Sequence, residues 1–199
     1  MLQIGGICLV DYKNNVVKDS LTEALLLLME TTEYSQITIT NIAKKAGVSR
    51  MAYYRNFDTK EEILIYYFDR SCHDLYINTH VSTHLPLIHR TVQHIYTLFI
   101  EKKAVISALK KANLTSILLD YFDKIVITGS KFILKQNNKV ILPPESMYHN
   151  FFISGALYNF FMKWFDSGMK ESYEEIMEIV THHMHHIIET ATREMPFTK

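Results

Sequence analysis

Between Asn41 and Lys60 the chain carries five basic residues, Lys44, Lys45, Arg50, Arg55 and Lys60, against one acid, Asp58. Ser49, Met51 and the adjacent tyrosines Tyr53 and Tyr54 sit among them. Guanidinium and ammonium groups can pair with phosphates or donate to the acceptor edge of guanine. Small and aromatic groups can meet the thymine methyl. That chemistry works only when its groups are presented together on a rigid element. The whole chain, 199 residues with 21 Lys plus Arg against 21 Asp plus Glu, is formally neutral. General basicity is therefore excluded as a way of coating nucleic acid, whereas a local patch is not.

The elements that would carry the patch are legible in the apolar spacing. Val17, Leu21, Ala24, Leu25, Leu28 and Met29 predict one amphipathic helix over about 14–32. Ile39, Ile42, Ala43 and Ala46 anchor a short second helix, capped by Thr38 or Thr40 and stopped by Gly47. Ser49 restarts a third as its N-cap, with Val48, Ala52, Tyr53 and Phe57 turned inward. Thr59 and Glu62 fit a capping box opening a fourth helix that runs to about 78. Helix, glycine-centred turn, helix is the helix-turn-helix pattern, whose second helix lies in the major groove. Arg50, Met51 and Tyr53 then start the reading helix. Lys60, at the next helix N-terminus, is placed for a phosphate. Lys44 and Lys45 read as a solvated face that steers DNA by long-range charge.

The string "ITITNIAKKAGVSRMAYYRNFDTKEEIL" closely resembles the N-terminal signature of the TetR family of bacterial transcription regulators. The resemblance rests on Ile37, Thr38, Ile39; Ile42, Ala43, Ala46, Gly47, Val48, Ser49; Tyr54, Phe57; and Lys60, Glu61, Glu62. It implies phosphate roles for Thr40, Tyr54 and Lys60, and base-facing roles for Arg50, Met51 and Tyr53, with Lys44 and Ser49 also on the DNA side. Met51-Ala52 departs from the usual Gly-Thr or Ala-Thr, and Asn56 from a frequent His, so the operator sequence does not carry over. The segment "FFISGALYNFFMKWFDSGMKESYEEIMEIV" resembles the last two helices of a C-terminal domain type found mainly in Firmicutes members.

Beyond Pro86 helices are expected over about 86–101, 103–110, 114–136, 146–167 and 171–191, with "KQNNKVILPPES" as the clearest loop. No strand pair is evident. The expected fold is all-α with about nine helices: an extension at 1–12, a three-helix DNA-binding unit at 13–58, and a larger ligand-binding and dimerisation body at 59–199. The resemblance implies a homodimer through the last two helices, a palindromic DNA operator, and a small-molecule effector in each body. Phe99, Tyr121, Phe122, Phe160 and Trp164 are the candidate effector-lining residues. Gly155 and Ala156 would allow close helix approach at a dimer seam. The leading expectation is a repressor that its effector releases from DNA. A co-activator of the same fold, or a metal sensor, are the alternatives.

The metal reading rests on His182 and His186, four apart in "THHMHH", and on His80 and His84. Neither pair has a cysteine or carboxylate completing a ligand set, and no metal or other cofactor is expected. Cys8 and Cys72 form no ligand motif and are expected to be free thiols in a reducing compartment. Nothing places a nucleophile on a strand-to-helix elbow, so no enzyme is expected. The apolar N-terminus lacks a basic n-region, and "ALLLLM" is too short to span a bilayer. A cytoplasmic protein is expected.

Overall fold

The computed structural model describes residues 3–4, 7–8, 15–77, 87–136 and 144–192. Nine α-helices lie in them: α1 (Val16–Thr31), α2 (Ile39–Lys45), α3 (Arg50–Tyr54), α4 (Lys60–Ile77), α5 (Leu87–Glu101), α6 (Lys103–Lys111), α7 (Ser116–Gln136), α8 (Pro144–Asp166) and α9 (Tyr173–Thr192). The expected all-helical architecture holds, with one addition: near the N-terminus Gln3–Ile4 (β1) pairs antiparallel with Ile7–Cys8 (β2). Helix α8 starts two residues earlier than the sequence pattern suggested. Pro144 is its first residue, where a missing N–H breaks no helical hydrogen bond.

Helices α1 to α3 form a small head. Leu21, Ala24, Leu25 and Met29 of α1 are buried against Ile42 of α2 and Tyr53 and Phe57 at α3. Asn15 caps α1 by accepting from the Lys18 amide at 3.1 Å. The body is built from longer helices, with α7 and α8 packed along their lengths. Helix α4 joins the two. Ile63 and Leu64 enter the buried core beside the head, and its second half packs against α5 and α7. Helix α1 also touches α6, so the head meets the body in two places.

The centre of the body is a ring cluster. Phe99 of α5 packs on Phe122 of α7 (6.3 Å between centroids) and on Phe161 (5.4 Å) and Trp164 (6.3 Å) of α8. Phe99, Phe122 and Phe161 have no exposed surface, and burial of such a ring contributes about 1.5–3 kcal/mol. Cys72 is buried in α4 as a free thiol, and burial pushes its pKa up to about 12. Among the described residues no helix is long and apolar enough to cross a membrane.

Candidate nucleic-acid interface

Local backbone chemistry sets the angle between α2 and α3. Thr38 and Asn41 close a reciprocal box: the Asn41 amide donates to Thr38 Oγ1 at 3.1 Å and the Thr38 amide to Asn41 Oδ1 at 3.0 Å. Thr38, not Thr40, is the cap of α2. At the other end Gly47 adopts φ +69°, a left-handed conformation that a side chain disfavours. The Val48 amide then reaches back to the Ala43 carbonyl at 3.0 Å and the Gly47 amide to Lys44 at 3.2 Å, which is the Schellman arrangement. Two residues later Ser49 Oγ accepts from the Ala52 amide at 3.1 Å and opens α3.

This frame exposes the expected donors. Thr40 and Lys44 on α2 are exposed, as are Ser49, Arg50, Met51, Tyr54 and Arg55. Positions 50, 51, 54 and 55 share one side of a helix with a 3.6-residue repeat. Met51 is 63% exposed although apolar, and Tyr54 is 45% exposed. A large side chain left in water beside two arginines is placed for a partner rather than for packing.

Two assignments change. Tyr53, expected both among the inward contacts and facing bases, is completely buried and only the inward reading stands. Its ring meets Tyr54 edge-on at 5.4 Å and Phe57 at 6.4 Å, and burial pushes its hydroxyl up to about 12. Position 53 falls beside Arg50 on the flank of α3 away from Met51, and its i,i+4 spacing to Phe57 was the available sign of an inward ring. Its hydroxyl has no hydrogen-bond partner.

Lys60, expected at a phosphate, is held by the protein. Its ammonium donates to the carbonyls of Tyr34 (2.8 Å) and Ile37 (2.7 Å) and lies 4.3 Å from the Tyr34 ring centroid. The Tyr34 hydroxyl donates in turn to Glu61 Oε1 at 2.8 Å. These bonds strap the turn before α2 to the first residues of α4, leaving one ammonium N–H for any phosphate. The expected box at the start of α4 is half present. The Glu62 amide donates to Thr59 Oγ1 at 3.2 Å, but the Glu62 carboxylate takes the Asp58 amide at 2.8 Å.

Residues 21–67 match the sequence profile of the bacterial regulatory proteins, tetR family. The head is a TetR-type DNA-binding domain. It marks the chain as a DNA-binding transcription regulator. Over most of the chain the fold is similar to two solved structures. One is a dihydroxyacetone kinase operon activator, DhaS, with a TM-score of 0.62 and 15% identity over 85% of this chain and 97% of that one. The other is a fatty acid degradation regulator, FadR, from Bacillus halodurans, with a TM-score of 0.52 and 17% identity over 92% of this chain and all of that one. At these identities the likeness is one of fold. No curated protein matches the chain in sequence.

Behind the TetR-type head, the five effector-lining candidates sit in two settings. Phe99, Tyr121, Phe122 and Trp164 are buried and belong to one ring cluster, whereas Phe160 is half-buried and meets it edge-on through Phe161 at 5.4 Å. The Trp164 indole N–H is buried with no acceptor. Beside this cluster is a polar group that the sequence pattern did not reveal. His94 Nε2 of α5 lies 2.6 Å from the Tyr121 hydroxyl of α7 and 3.1 Å from the Ser71 hydroxyl of α4. Burial holds the His94 pKa below its ordinary value and favours the neutral ring, whose tautomer sets whether Nε2 donates or accepts here. Three helices meet there, and no residue spacing could have announced it. His80 and His84 lie outside the described residues, as does the His186 side chain; His182 is exposed at α9.

Proposed function

We propose that the chain is a sequence-specific, effector-responsive regulator, acting as a repressor that its effector releases from a palindromic operator. The observation that carries this reading is the α3 face: Arg50, Met51 and Tyr54 are exposed together on a short helix anchored in the core by buried Tyr53 and Phe57. In this reading Arg50 and Met51 meet base edges. Tyr54, Thr40 and the free hydroxyl hydrogen of Ser49 meet phosphates, and Lys44 adds charge nearby. The test is binding of purified protein to its own promoter region against random DNA at moderate salt. Equal affinity for both would sink the proposal. Arg50→Ala is expected to cost about 1–3 kcal/mol and relax one base position; uniform loss across all operator variants would make Arg50 a phosphate ligand.

A second copy of the chain completes the reader. Along α8, Tyr148 (68% exposed), Phe151, Phe152 (79%), Gly155, Ala156 and Asn159 form a stripe at helical spacing. A Cβ added at Gly155 would meet nothing within 4 Å, so the open side of this stripe has room for another helix. Ile179 on α9 is also an exposed apolar residue. An aromatic stripe left in water suits a dimer seam, through the last two helices, of the type found mainly in Firmicutes members. The effector would enter the ring cluster of Phe99, Tyr121, Phe122, Phe160 and Trp164, where the unpaired Trp164 N–H offers one hydrogen bond. Its binding energy shifts the heads only insofar as it differs between the two head arrangements.

A further inference from the structure

The polar ties between head and linker helix carry an inference that rests on the dimeric reading above. Asp19, in the first turn of α1, accepts at one carboxylate oxygen from the Tyr66 hydroxyl (2.9 Å) and from the Arg70 guanidinium, both on α4. Arg70 is steadied from its other side by Asp74, 4.0 Å from Nε. Two open clefts follow one another along one face of α1. One, of about 410 Å³, is lined by Asp19, Glu23, Leu26, Tyr67, Arg70 and Lys102 among others. The second, of about 500 Å³, lies between the C-terminal end of α1 and α6 and is lined by Met29, Glu33, Ala104, Ser107 and Lys111 among others. There the polar tie is Glu33 to Lys111, longer at 3.5 Å and well exposed at both ends.

Thus α1 has unfilled space along one face, toward each of its ends, and charged hydrogen bonds help to fix its tilt on α4. The family profile begins at residue 21 and ends at residue 67. Asp19 and Arg70 lie just outside it, while the scaffold of the head lies inside.

We propose that Asp19, Tyr66 and Arg70 form a latch that sets the angle of the head on α4 and thereby the half-site spacing the dimer accepts. These are positioning residues, remote from the α3 face. Helix α1 has 16 residues and is about 24 Å long, so a tilt of about 10° displaces its far end by about 4 Å. Adjacent base pairs are about 3.4 Å apart, so that movement is on the order of one step of operator spacing. A latch of this kind changes which spacing fits without changing which bases are read.

The test is a set of operators, selected from random palindromes with the intact protein, whose half-sites are then moved together or apart by one base pair. The intact protein is expected to discriminate against both shifts by at least about tenfold. Asp19→Asn and Arg70→Met are expected to bring the three operators to within about threefold, with an unchanged salt slope. Tyr66→Phe, which removes one hydroxyl, should move the same way by less. The double charge swap Asp19→Arg with Arg70→Asp should restore discrimination, because a coupled pair is rescued by its reversed partner. Retained spacing preference in the single variants overturns the latch, as does equal loss on all three operators with a shallower salt slope. Absence of any operator binding by the intact protein would instead overturn the regulator reading itself.

Discussion

Head and body are held together by different physics. In the head, short helices are fixed by backbone signals: the Thr38–Asn41 box, the left-handed Gly47, the Ser49 cap and the Lys60 strap. In the body, long helices are fixed by ring-on-ring packing from Tyr96 and Phe99 through Phe122 to Phe161 and Trp164. A reader needs fixed angles within a few residues, which caps and turns supply. The effector-responsive body proposed above needs contacts that many residues share and that a small molecule can rearrange, which ring packing supplies.

The sharpest way to break that contrast is Tyr53, the head's own buried ring. Tyr53→Ala should cost about 3–5 kcal/mol and lower the melting temperature by roughly 6–20 °C, abolishing DNA binding with it. Tyr53→Phe removes only an unpartnered hydroxyl and should leave stability and operator affinity near those of the parent. A selective loss of DNA affinity in Tyr53→Phe would return this residue to the reading face.

Next in size is the body's outer stripe. Phe152→Glu puts a charge into the proposed seam and should weaken dimerisation by roughly 2 kcal/mol or more, while the monomer keeps its helical signal. Sedimentation at micromolar concentration checks this; an unshifted dimer would move the seam elsewhere.

Lys60→Met keeps the aliphatic stem but releases the Tyr34 and Ile37 carbonyls. A loss of about 1–3 kcal/mol in unfolding free energy is expected, with the salt slope of DNA binding unchanged. A slope lower by about one would show that Lys60 neutralises a phosphate after all.

The smallest effect belongs to His94. Its folded pKa lies below its unfolded one, so the neutral ring is favoured in the native state. The stability this contributes is present above about pH 6.5 and is lost as pH falls below it. His94→Gln should flatten this part of the denaturation profile. An unaltered acid limb would place the titrating group elsewhere.

The same division decides what could be read from sequence. Gly47, Ser49 and Thr38 act on neighbours within a few positions, so their roles and the helix-turn-helix were legible, and the helix bounds fell within about two residues of those observed. Tyr53 carried an inward and a base-facing reading at once, and the Lys60 strap was not legible because its partners are not local. A ring's burial depends on the third helix's rotation against α1, and the Lys60 carbonyls lie 23 and 26 residues upstream. Asp19 with Arg70, and Ser71 with His94 and Tyr121, are joined only by tertiary packing. No spacing rule connects positions 51 apart on different helices.

The exposure of Arg50, Met51 and Tyr54 has an evolutionary consequence. None of the three forms part of the buried core, and the turn that aims them is fixed by Gly47, Val48 and Ser49. Substitutions there escape the folding penalty that restrains Tyr53. If these three residues read the operator as proposed, duplicated copies of such a gene would diverge toward new operators one surface residue at a time, on an inherited and unaltered frame.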